Sequence, residues 1–223
     1  MVSTTTITRA NGQETKAKLL RTTETLFASK GVAGVTMRSV AEKAQTNLAS
    51  AHYHFGSKEA MVLEMIKSKI EPINLKRRER LKEAKIKFSN KPLPNIEIFR
   101  ALVHPVGEEV EKQITNKNGI IEIIARSFTE PAEFLNQIQK RFFGELSQVF
   151  ITELKNSNPN AKEEDLYWNY HLAVSSMLGT LAQHRRMIDF SVGKYNEVTV
   201  TAMIDRLKIF ISNGFEAGIQ IKK

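Results

Sequence analysis

Apolar positions along this chain repeat at helical spacing almost throughout. From Glu14 they fall at Leu19, Leu20, Thr23, Leu26 and Phe27, and the pattern stops at Lys30-Gly31, a glycine end. Thr36 has the chemistry of an N-cap, and behind it Met37, Val40, Ala41 and Ala44 repeat at i, i+3, i+4, i+7 on a second, short helix. Gln45 and Thr46 separate that helix from a third, which Asn47 can cap and which runs to about Tyr53. Gly56 breaks it. Ser57 then caps a fourth, continued by Ala60, Leu63, Ile66 and Ile70 toward Pro72.

Beyond Pro72 the segment NLKRRERLKEAKIKF is helical and heavily charged, and NKPLPN at 90–95 is a break. Five more helices are predicted at roughly 95–113, 119–128, 131–155, 162–189 and 196–221, about nine in all. Pro131 suits a helix start, whereas Pro105 inside a helical pattern predicts a kink or a split. No stretch alternates like a strand, so the predicted fold class is all-α. The first dozen residues lack a period and read as a loose arm. The expected organisation is an N-terminal unit over 1–56, a connecting helical region over 57–90 and a larger helical unit over 91–223.

Composition narrows the possibilities. The 223 residues contain no cysteine, which excludes disulfides and thiolate zinc sites and fits a reducing compartment. No run of about 18 apolar residues appears, and the polar start MVSTTTITRANGQETK lacks the apolar core of a secretory signal. A cytoplasmic location is expected. The net charge of +9 is unevenly spread: +5 over residues 1–70, +4 over 71–90 and zero over 91–223. A basic end on a neutral body suggests a polyanionic partner, nucleic acid or a lipid surface.

Candidate chemistry concentrates in NLASAHYHFGSKEAM, residues 47–61. His52 and His54 point about 200° apart on a helix, unlike the i, i+4 pairs that hold metals, and no carboxylate completes a site. Phosphate-cradling loops, nucleophile elbows and dinucleotide fingerprints are absent from the sequence, so no catalytic residue, metal or cofactor is assigned. Glu108-Glu109 and Glu163-Glu164-Asp165 read as solvated faces. Two short helices joined by about three residues match a helix-turn-helix, with the second lying in a DNA major groove. Small Ala49 and Ser50 would let the backbone approach base edges, Asn47 and Ser50 could hydrogen-bond there, and Leu48 could touch a thymine methyl. Thr36, His52, Tyr53, His54 and Lys58 have polar tips that reach phosphates, with Arg38 beside them.

The stretch GVAGVTMRSVAEKAQTNLASAHYHFGSKEAMV, residues 31–62, resembles the DNA-binding domain of the TetR (tetracycline-repressor-like) family of bacterial regulators. Its matching features are Gly31, Thr36 before a short helix, Val40-Ala41-x-x-Ala44, a small-residue recognition helix, and Tyr53-His54-Phe55 followed by Ser57-Lys58-Glu59. The resemblance implies a three-helix helix-turn-helix domain ahead of a ligand-binding and dimerisation domain. It also implies phosphate contacts from Thr36, Tyr53, His54 and Lys58, and base contacts from about Asn47 to His52. Two positions depart from the pattern. Gln45-Thr46 replaces the usual Gly-Val, and His52 stands where tyrosine is commoner.

Small residues punctuate the last two helices, with Ala173, Ser176, Met177, Gly179 and Thr180 in one and Val200, Met203, Ile204, Leu207, Ile211, Gly214 and Gly218 in the other. Their spacing suits close packing, whether as internal core or subunit interface. The family resemblance favours the interface, implying a homodimer on an operator in double-stranded DNA. Nine of twelve phenylalanines follow residue 95, and a cavity lined by Phe99, Phe128, Phe142, Trp168, His171 and Met177 is expected. The segments ARSFTEP (125–131) and EEDLYWNYHLAVSSMLGTLAQH (163–184) are loosely similar to fatty-acid-responsive members, which ranks an acyl chain or acyl-CoA first among inducers. The alternatives are a membrane-surface protein anchored by KRRERLKEAKIK (76–87), or an all-α enzyme acting on an apolar substrate.

Overall fold

A computed structural model describes residues 4–116, 119–195 and 199–220, which form helices and connecting turns with no strand among them. The N-terminal elements are α1 (Thr4–Lys30), α2 (Met37–Lys43) and α3 (Leu48–Phe55), followed by the long α4 (Lys58–Lys87). The body adds α5 (Asn95–Asn116), α6 (Ile120–Arg126), α7 (Ala132–Ile138), a π-helical turn (Gln139–Phe143) and α8 (Gly144–Ser157). It ends with α9 (Glu163–Ala182), the short α10 (Arg186–Phe190) and α11 (Val200–Gly218).

Two apolar cores organise these helices. The first joins Leu19, Leu26 and Phe27 of α1 with Val40 and Ala41 of α2, Ala51 and Phe55 of α3, and Met61, Met65, Ile66 and Ile70 of α4. The second begins at Ile73 and gathers the inner faces of α5, α6, α8, α9 and α11. α4 changes core between Ile70 and Ile73, at Pro72. Its first half turns Met61 and Val62 inward and leaves Ala60 exposed, one position out of the predicted phase.

Several boundaries differ from expectation. The helix predicted to begin at Glu14 starts at Thr4, so the expected loose arm is helical from there. Pro72 does not end α4. It lies on the exposed side, where the Ser68 carbonyl that loses its partner can turn to water. Pro105 does not split α5, and the helix predicted over 131–155 is interrupted by the π turn. The predicted ends of the last helix, at 196 and 221, fall outside the described residues.

Candidate nucleic-acid interface

Three side-chain caps build the turns around α3. Thr36 Oγ1 accepts from Ser39 N at 3.0 Å while Ser39 Oγ accepts from Thr36 N at 3.1 Å, a reciprocal capping box. Asn47 Oδ1 accepts from Ser50 N at 2.6 Å, and Ser57 Oγ from Ala60 N at 3.1 Å. Each cap uses a donor three residues ahead, so the motif is specified locally. Between α2 and α3 the chain passes through Gln45 at φ +52°, the left-handed region that glycine enters without strain. Gly31 ends α1 at φ +67°, a backbone setting that glycine adopts without strain.

α3 is anchored by its inner face. Ala51 is fully buried and Phe55 nearly so, with Lys16 of α1 5.7 Å from the Phe55 ring. The outer face carries Asn47, Leu48, Ala49, His52 and Tyr53, of which Tyr53 is 86 % exposed. Such exposure leaves the Tyr53 ring unpacked against the core. Its ring meets His54 edge-on at 5.2 Å, and His54 is half-buried. His52 Nδ1 lies 3.3 Å from Gly56 O, which leaves Nε2 facing outward. Ser50 and Lys58 are half-exposed; Thr36 and Arg38 are exposed on α2's start.

The caps restrict what each group can offer. The Asn47 carbonyl is occupied, leaving its NH₂ as a donor for a base or phosphate acceptor. Arg38 is held by Glu42 at 2.8 Å, a surface pair weak enough to exchange for phosphate. The basic segment 76–87 is not a free cationic face. Lys76 and Arg80 pair with Glu108, Arg78 with Glu145 and Lys85 with Glu153, while Arg77 is buried. That pairing offsets part of the charge on which the membrane-anchor alternative rests. No described helix is long and apolar enough to cross a membrane, and no cluster of three potential ligands could hold a metal ion among the described residues.

The residues predicted to line a pocket are spread between the core and the surface. Phe99 is wholly buried against Phe215, and Met177 is also in the core, but Phe128 and Trp168 are 55 % and 60 % exposed. His171 is exposed as well, in edge contact with Trp168, and Phe142 is half-buried against the N-terminal core. The buried stripe of α9 is Leu166, Tyr170, Ala173, Met177 and Leu181, which turns Trp168 and His171 outward.

The predicted interface set divides in the same way. Ala173, Val200, Ile204, Leu207 and Ile211 are consumed in the protomer's own core, Ile204 packing where Gly107 of α5 lacks a Cβ. Ser176, Gly179, Thr180 and Gly214 remain accessible, the first three lining a recess of about 1100 Å³ between α9, α10 and α11. Sequence reasoning missed its other walls, Met187, Phe190 and Phe210, and the neighbouring exposed Leu172 and Ile209. Their signal was an apolar residue out of phase with the core stripe.

Comparison with known proteins agrees with this geometry. Residues 19–65 match the profile described as bacterial regulatory proteins, tetR family, and residues 100–214 match the tetracyclin repressor-like C-terminal domain. Among solved structures the chain resembles the fatty acid degradation regulator FadR from Bacillus halodurans, with 13 % identity, 90 % of this chain and 95 % of that one covered, and a TM-score of 0.62. It also resembles a proposed fatty acid metabolism regulator of Clostridium perfringens (19 % identity, 92 % and 100 % covered, TM-score 0.60). A third is a TetR-like transcriptional regulator from Rhodococcus sp. RHA1 (17 %, 91 % and 96 %, 0.60). At these identities the likeness concerns the fold. No curated protein matches the chain by sequence.

Proposed function

This chain belongs to the tetR family of bacterial regulatory proteins and is a DNA-binding regulator, not an enzyme; from that premise we propose a homodimeric cytoplasmic repressor that a small acyl-type ligand releases from its operator. The observation that carries the reading is α3 itself: Ala51 and Phe55 seat it while Asn47, Leu48, Ala49, His52 and Tyr53 face out. Ser50, Asn47, Leu48, Ala49 and His52 read base edges, and Thr36, Arg38, Tyr53, His54 and Lys58 hold phosphates. Residues 1–56 bind DNA, 57–90 connect, and 91–223 dimerise and take the ligand.

Dimerisation uses the outer faces of α9 and α11, where Leu172, Trp168 and Phe210 lie exposed beside Ser176, Gly179, Thr180 and Gly214. Two recognition helices then reach half-sites about 34–36 Å apart or a multiple of that spacing. α4 is the transmitter, since one unbroken helix belongs to both cores. A ligand that favours one setting of α4 changes the separation of the recognition helices, and about 1.4 kcal/mol of preference weakens DNA binding tenfold. An acyl ligand is favoured because the chain is similar in fold to two fatty acid regulators. Selection of duplexes from a random pool, followed by salt titration, tests the reading. Enrichment of a palindrome with a steep salt slope supports it, and absence of any enriched sequence refutes it.

A further inference from the structure

Arg77 sits at the centre of the body with 4 % of its surface exposed. Its guanidinium donates from Nε to Leu102 O of α5 at 2.8 Å, from Nη1 to Asn74 Oδ1 at 3.1 Å, and from Nη2 to the Met177 sulfur of α9 at 3.6 Å. None of these acceptors is charged and one is a thioether. Among the described residues no carboxylate pairs with it, and the titratable group that acts on it is the buried Tyr170 phenol. Every other basic residue between Lys76 and Arg80 that enters a pair meets a glutamate. A cation taken out of water at this depth is costly to the fold unless an anion meets it, and burial lowers the Arg77 pKa to about 10.

The shell around it is also unusual. Asn74 Nδ2 donates to Phe142 O at 2.7 Å, and Phe142 belongs to the π-helical turn, a rare form that is frequent at functional sites. Leu102 and Met177, which Arg77 touches, and Tyr170, which acts on it, belong to the apolar core of the body. We propose that Arg77 receives the carboxylate of an amphipathic ligand, with the Asn74 amide beside it and the tail displacing apolar side chains near Leu102 and Met177. The planar fork of arginine matches a carboxylate bidentately, and a single buried cation suits a single negative charge. A free fatty acid fits this arrangement; an acyl-CoA brings several phosphate charges and offers a neutral thioester at its acyl end. Because Arg77 is on α4, capture of the anion acts on the helix that begins beside the recognition helix.

This assignment rests on the acyl-ligand reading, and the experiment separates the two. The full chain is titrated calorimetrically with dodecanoate, 1-dodecanol and dodecanoyl-CoA, and Arg77→Met is titrated alongside. Expected is dodecanoate binding at least about tenfold tighter than either other compound, a preference that Arg77→Met abolishes while dodecanol binding is unchanged. Equal binding of dodecanoate and dodecanol by the native protein overturns the role of Arg77 and leaves the acyl reading standing. Tighter binding of the CoA ester overturns it as well. Binding of none of the three removes the acyl reading and the assignment with it. The native protein's own discrimination decides the matter if Arg77→Met does not fold.

Discussion

The guanidinium of Arg126 donates to the carbonyl oxygen of Ala28 through both Nε and Nη2, at 3.2 and 3.0 Å. Ala28 lies in the last turn of α1, where unpaired carbonyls and the negative end of the helix dipole favour a cation. Arg126 closes α6, so the contact ties the body to the DNA-reading domain in addition to the continuous α4. Beside it, Glu130 accepts from Val32 N at 3.1 Å, and Glu24 accepts from Gly119 N while pairing with Lys69. Replacing Arg126 by Met should cost about 1–2 kcal/mol and speed hydrogen exchange in the last turn of α1. Exchange in α9 and α11 should not change. If α1 were as protected as before, the tie would carry no stability.

DNA contacts should separate into two kinds. Tyr53→Phe and Lys58→Ala are expected to weaken binding to all sequences alike, and Lys58→Ala should lower the salt slope by about one. Changes at Ser50 or His52 should instead alter which operator is preferred, with about 1–3 kcal/mol at the affected base pair. Fluorescence anisotropy against a panel of duplexes at several salt concentrations distinguishes them. A Lys58→Ala protein with unaltered affinity and slope contradicts the phosphate role.

Gln45 holds a left-handed backbone between α2 and α3 that a side chain makes costly. Gln45→Gly should leave stability equal or higher, whereas Gln45→Val, whose branched Cβ resists positive φ, should lose about 1–2 kcal/mol. Urea denaturation of the three proteins provides the comparison. Equal midpoints for Val and Gly would mean the turn relaxes to another conformation.

Phe210 is 69 % exposed on α11, while its neighbour Ile211 is buried. Phe210→Glu or Leu172→Glu should yield a folded monomer by sedimentation, since a charge placed in an apolar interface is poorly paid back in contacts. Ile211→Glu should instead unfold the body. A dimer unaffected by Phe210→Glu would move the interface elsewhere.

His104 of α5 gives the body a pH dependence. Burial of the ring, then the nearby Lys208, holds its imidazole below the ordinary value of 6.5; Arg100 adds to this, and Asp205 and Glu108 oppose it. Its Nε2 is buried and 3.5 Å from Asp205 Oδ1. The fold therefore favours neutral His104, and this contribution is complete above the unfolded value. It is lost as the pH falls below 6.5, because the unfolded chain takes the proton first. Asp205, held below 3.8 by Lys208, would contribute only in more acid solution. His104→Gln should flatten the fall in melting temperature as the pH drops below 6.5. An unchanged profile would remove His104 as its source.

The parts of this molecule legible in its sequence are those governed by contacts a few residues apart. Thr36, Asn47 and Ser57 announce their helices because an N-cap bonds three residues ahead, and Gly31 marks the end of α1 because its backbone needs a positive φ. The outward face of α3 follows from those caps and from the spacing of Ala51 and Phe55. What the tertiary structure decided is which stripe of a two-faced helix turns inward. α9 carries Tyr170 and Met177 on one side and Trp168 and Leu172 on the other, all compatible with a core by hydrophobicity. Only packing against α5, α8 and α11 selects the first pair, so the predicted pocket came apart and half of the predicted interface was drawn inside. Charge behaved similarly. KRRERLKEAK reads as one basic face, but Glu108 and Glu153, 28 and 68 residues from their partners Arg80 and Lys85, offset part of its charge, and Arg77 is folded into the core. Periodicity fixes the presence of a stripe; the identity of its neighbour is set by chain segments too distant for any local pattern to name.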